Sequence, residues 1–110
     1  MLKVGMIRCQ QTEDMCAGNT DFKVAKEGKC AFKETGNVEV VGFISCGGCP
    51  GKRAVMRAKT MVDRGAEAIV FVSCITKGNP IGIACPHYAN MKEAIIKKIG
   101  PDIKIIEWSH

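Results

Sequence analysis

The feature that most restricts the fold is a regular alternation of short apolar, β-rich runs with amphipathic stretches. Leu2–Ile7 (LKVGMI), Val38–Ile44 (VEVVGFI) and Ala68–Val72 (AIVFV) read as buried strands, and Ile103–Trp108 (IKIIEW) reads as an edge strand because it carries Lys104 and Glu107. Between them, Lys52–Arg64 sets Ala54, Val55, Ala58, Met61 and Val62 on one helical stripe, with Gly65 placed to stop it. Pro86–Ile99 repeats the pattern with Met91, Ala94, Ile95 and Ile99, and Gly100 and Pro101 end it. A shorter helix is predicted over Thr20–Glu27, closed by Gly28. Strand–helix alternation predicts a small three-layer α/β domain spanning residues 1–110, of Rossmann-like or flavodoxin-like kind. Its mostly parallel four-stranded sheet carries helices on both faces.

In a parallel sheet with right-handed crossovers, all strand C-terminal ends share one edge, and open α/β sheets bind their ligands there. The predicted strands run out at Cys9, Cys46, Cys74 and His110. Four metal-competent side chains are therefore expected at one rim.

Seven cysteines is an odd number, so a complete set of intrachain disulfides is excluded. A chain of 110 residues with regular apolar segments needs no such staples. The thiols point instead to a metal, a cluster or a redox reaction in a reducing cytoplasm. The plainer role, a small buried hydrophobe, is assigned to Cys30 and rejected for most of the others. The start of the chain lacks the apolar core and cleavage site of a signal peptide, and the longest apolar run, around Ala68–Cys74, is too short to cross a bilayer. Net charge is +5, but the 16 basic residues are scattered and aromatics make up only 5%. Neither a nucleic acid nor a membrane is an expected partner.

The central motif is SCGGCPGKR, Ser45–Arg53, at a strand-to-helix turn. Its Cys46-x-x-Cys49 spacing, with two glycines between, suits two ligands of one tetrahedral metal or a dithiol–disulfide pair. Pro50 is predicted at the first helical position with Cys49 as cap, and Cys85–Pro86 is predicted to repeat the arrangement. Thiols there, beside Lys52 and Arg53, are expected to ionise easily. A Walker loop is excluded, because GGCPGK is one residue short and Arg53 stands where a hydroxyl belongs. A phosphatase loop is excluded too, because Met15 after Cys9 and Lys52 after Cys46 occupy its arginine position. An oxyanion could still dock on Gly48, Gly51, Lys52 and Arg53. His87 is read as a surface or capping residue, and His110 as ordered through the preceding Trp108.

The strings IRCxxTxxxC (Ile7–Cys16), VGFxSCGGCPGKR (Val41–Arg53), RGAxAI (Arg64–Ile69), SCI (Ser73–Ile75), ACPH (Ala84–His87) and the final WSH resemble the CGGC domain family over nearly the whole chain. The resemblance implies a small prokaryotic domain that binds metal, with zinc as the metal, and implicates Cys9, Cys16, Cys46, Cys49, Cys74, Cys85 and His110. It names a family without naming an activity. Cys46, Cys49, Cys74 and Cys85 are the first-choice ligands, with Cys9, Cys16 and His110 completing or extending the site. The alternatives are an iron–sulfur cluster and a thiol–disulfide oxidoreductase in which one of Cys46 and Cys49 attacks and the other resolves.

Overall fold

The computed structural model describes all of residues 1–110. Four strands, β1 (Lys3–Arg8), β2 (Glu39–Ser45), β3 (Ala68–Phe71) and β4 (Lys104–Ile106), form one sheet in the order β2-β1-β3-β4, and every pair is parallel. The helices are α1 (Asn19–Glu27), α2 (Lys52–Asp63), the single turn α3 (Ser73–Thr76) and α4 (Tyr88–Ile99). The α/β architecture read from the alternation is the one observed.

The topology places the layers. The step from β1 to β2 goes one way along the sheet, and the steps from β2 to β3 and β3 to β4 go the other. Right-handed crossovers then put α1 on one face and α2 with α4 on the opposite one. Packing agrees: Phe22 of α1 lies 4.8 Å from the ring of Phe43, while α2 packs on α4 and on β1 and β2. Phe71 meets Tyr88 of α4 edge-on at 5.0 Å. The two central strands are buried on both faces, as Val4, Met6 and Ile7 of β1 and all of β3 show. The edge strand β2 is only half covered, and its register with β1 slips between Val4 and Gly5, leaving Val41 as an extra residue.

Gly5 and Gly42 mark the closest approach of α2 to the sheet. A Cβ on either would lie 2.7 Å from Met61 Sδ, and on Gly5 also 3.2 Å from Met61 Cβ. Gly5→Val is therefore expected to lower stability by about 1–3 kcal/mol through overpacking. Urea denaturation checks this, and an unchanged midpoint would mean α2 can ride outward freely.

Several expected boundaries move. α2 starts at Lys52 with Gly51 as its cap residue, so Pro50 and Cys49 lie outside the helix. α4 starts at Tyr88 with His87 capping, not at Pro86. The last strand stops at Ile106, short of Trp108. α3 and the 3-10 turns Gln10–Thr12 and Cys30–Phe32 were not expected, because three or four residues carry no readable period.

Candidate functional site

At the C-terminal edge of the sheet, backbone hydrogen bonds run past the strand ends and hold the following loops side by side. Cys46 N–H donates to Arg8 O at 2.8 Å, and Val72 N–H donates to Ile7 O at 3.1 Å. Cys9 N–H donates to Cys74 Sγ at 3.2 Å, which joins the end of β1 to α3. Chain connections leave β1 and β3 in opposite directions, so this rim is the topological switch point where such sheets bind ligands.

The turn after β2 brings its two thiols to the same place. Gly47 and Gly48 take φ of 82° and 100°, a region that favours glycine. A Cβ on Gly47 would also lie 2.6 Å from Arg53 Cβ. Arg57 donates to both the carbonyl and hydroxyl oxygens of Ser45, fixing the start of the turn. Gly51 closes it, donating to Gly48 O at 2.8 Å and pressing on Met91 of α4. From the other side, Cys85 N–H donates to Ile75 O at 2.8 Å.

The result is a narrow crevice of about 20 Å³ lined by Cys9, Cys46, Cys49 and Cys85, with His87 beside them. That space suits one water or one ion. Cys46 is buried, Cys9 and Cys85 are half-buried and Cys49 is exposed. An adjoining groove shares Cys9, Cys49 and Cys85 and adds Cys74 under the exposed Ile81 and Ile83. Cys16 and His110 are not in this crevice. They line a separate pocket with Asp21 and Cys74. Cys74 is thus the thiol shared between the two regions.

The ionisation expected of Cys85 is reversed. Burial pushes its thiol up, and Cys49, Cys9 and Cys46 nearby push it further, against one backbone hydrogen bond at His87. Its displacement from the helix start removes the favourable end of α4 as a counterweight. Burial also raises Cys74, with the Cys9 N–H and the Thr12 hydroxyl opposing. Tyr88 is raised by burial and by its hydrogen bond to Glu107. Such groups hold their protons more tightly when folded, so their stabilisation is present below the unfolded value, 9.0 for the thiols, and lost as pH rises through the folded one. Metal-free protein should accordingly have a lower urea midpoint at pH 10 than at pH 7.5, and a rising midpoint would contradict these assignments.

Cys30 was expected to be buried and is instead exposed, at φ 52° in the turn after α1, and it lines neither region. At the suggested anion cradle, Gly51 is buried with its N–H bonded to Gly48 O, Lys52 and Arg53 are exposed, and the Arg53 side chain runs against Gly47. Residue patterns missed His87 as a crevice residue. They also missed Asp21, Ser73 and Ser109, which are buried and latch the WSH segment. Ser73 Oγ accepts from the backbone N–H of Ser109 and His110 and donates to His110 O, and Ser109 Oγ donates to Asp21. The only signal for the latch was the pairing of the SCI and WSH strings, which periodicity does not interpret.

No three His, Cys, Asp or Glu side chains surround one point in a ready ligand arrangement. The donor chemistry nonetheless fits a thiophilic cation, since four thiols line one crevice and Cys side chains reach new positions by χ1 rotation between staggered wells. No helix is long and apolar enough to cross a membrane.

Residues 3–110 match the CGGC domain family. The chain is 40% identical over 110 aligned positions to the uncharacterized protein MJ0582 of Methanocaldococcus jannaschii, covering 94% of this chain and 81% of that protein. It is 37% identical over 71 positions to the uncharacterized protein MJ0766 of the same organism, covering 64% of this chain and 98% of the relative. No solved structure matches. With its GGC-spaced thiols at the turn after β2 and the match running through to His110, this cysteine-rich chain belongs to the CGGC domain family.

Proposed function

We propose that the chain is a metal-binding domain that holds one zinc ion on Cys9, Cys46, Cys49 and Cys85. The observation that carries this reading is that those four cysteines, from three separate loops, line one ion-sized crevice at the switch point. Cys9 thereby replaces Cys74 in the preferred set, because Cys74 does not line the crevice and its sulfur accepts the Cys9 N–H beside it. Cys16 and His110 belong to the neighbouring pocket and are left out of the set. Bound zinc would supply a fixed positive charge that keeps all four thiols ionised, offsetting the burial and mutual repulsion that otherwise raise Cys85.

Elemental analysis and a visible spectrum of protein purified without oxygen test the reading. About one zinc per chain and no visible absorption are expected. Iron with acid-labile sulfide would replace zinc with a cluster on the same sulfurs. Metal-free protein with seven reactive thiols would overturn metal binding and favour dithiol chemistry at Cys46 and Cys49. Cys46→Ser is expected to weaken zinc affinity at least about tenfold, since it removes a buried ligand, whereas Cys30→Ser should leave it unchanged.

A further inference from the structure

The pocket beside the crevice has a different chemical character. It encloses about 220 Å³, and Asn19, Thr20 and Asn79 give it a polar lining around Cys16, Asp21 and His110. Asp21 is 2% exposed, and its Oδ1 lies 3.4 Å from His110 Nε2. The same carboxylate accepts the Ser109 hydroxyl. The backbone of His110 is held at both its N–H and its carbonyl by Ser73, and Lys77 also donates to that carbonyl. A buried carboxylate thus lies beside an imidazole in a pocket that also holds a thiol. A nucleophile, a base and an orienting acid are the parts of thiol catalysis.

We propose that this pocket is a thiol-exchange site in which Cys16 attacks a small polar disulfide, His110 takes the thiol proton and Asp21 positions the imidazole. Cys16 is the accessible thiol of the pocket, while Cys74 beneath it is buried. In the step, Cys16 Sγ forms a bond to one substrate sulfur as the substrate S–S bond breaks. The proton leaves Cys16 for His110 Nδ1 and passes to the departing thiolate, giving a mixed disulfide on Cys16 and one free small thiol. The presence of a second thiol, Cys74, in the same pocket favours disulfide exchange over acyl transfer, which uses only one. A volume just under the usual range for drug-sized ligands suits one arm of such a molecule. This site shares no residue with the four-sulfur set and stands or falls apart from it.

The test is peptide-resolved labelling of the full chain, in the metal state in which it purifies, with the neutral disulfide 4,4′-dithiodipyridine at pH 7. Cys16 is expected to form a mixed disulfide that Cys16→Ser abolishes. His110→Gln should slow that reaction by about tenfold or more. Asp21→Asn keeps an acceptor for Ser109 but removes the charge beside the imidazole, so Cys16 labelling should slow several-fold while labelling of the other thiols is unchanged. Thermal melts and metal content taken on the same samples separate this outcome from misfolding or metal loss. If Asp21→Asn does not fold, His110→Gln alone decides. Equal Cys16 rates in wild type and His110→Gln, or a Cys16 that stays unlabelled while other thiols react, would overturn the proposal.

Discussion

Stripping the metal from protein purified without oxygen is expected to lower its melting temperature by on the order of 15–25 °C. At a metal concentration a thousandfold above its dissociation constant, binding adds about 4 kcal/mol to folding, and each kcal/mol is worth several degrees in a domain of this size. The effect should be large because the crevice is walled by irregular segments. The turn Cys46–Gly51 is fixed by few hydrogen bonds, and the loop leading to Cys85 carries exposed Ile81 and Ile83. A metal bridging the loops after β1 and β2 to the segment before α4 would add a cross-link between parts that otherwise share few backbone hydrogen bonds. Calorimetry with and without chelator, followed by zinc restoration, is the measurement. Identical melts would remove metal from the account of stability, and failure of zinc to restore the melt would point to damage during stripping.

The second large effect is expected at Ser73. Its hydroxyl accepts from two backbone N–H groups, those of Ser109 and His110, and donates to the His110 carbonyl. Ser73 and Ser109 are both 0% exposed, so Ser73→Ala would leave donors without partners where water cannot replace them. Each orphaned buried group costs about 1–3 kcal/mol, so a total loss of roughly 3 kcal/mol is expected. Hydrogen exchange should quicken at Ser109 and His110 more than in β3, because the latch opens before the sheet does. A loss below about 0.5 kcal/mol would show that the WSH segment is held by Trp108 and Lys77, whose ammonium sits 4.1 Å from the indole centre, and not by the serine.

Much of the scaffold could be read from side-chain order. Val4, Met6 and Ile7, and Ala68 to Phe71, are apolar without alternation because both sheet faces cover them, and that pattern marks central parallel strands. Helix starts were harder. Pro50 and Pro86 both suggested a first helical turn, yet each lies in a loop, and the helices begin two residues later at Lys52 and Tyr88. A proline is compatible with an extended loop as readily as with a helix start, since it fixes φ but not ψ. That shift carries chemical weight, because it separates Cys85 from the helix end that was expected to ionise it, and burial holds its thiol protonated.

The sequence by itself determined that this chain forms a parallel α/β sheet with cysteines following its strands. Periodicity and strand composition are local properties, and right-handed crossovers turn them into a shared rim. Only the tertiary structure decided which thiols meet. Strand order set β1 between β2 and β3, which placed Cys9 between Cys46 and Cys74. The bend of the loops then sorted seven cysteines into a four-thiol crevice, a pocket with Cys16, Asp21 and His110, a shared Cys74 and a remote Cys30. The physical reason is that loop paths and buried hydrogen bonds, such as those of Ser73, depend on partners dozens of residues away, and no local pattern encodes them.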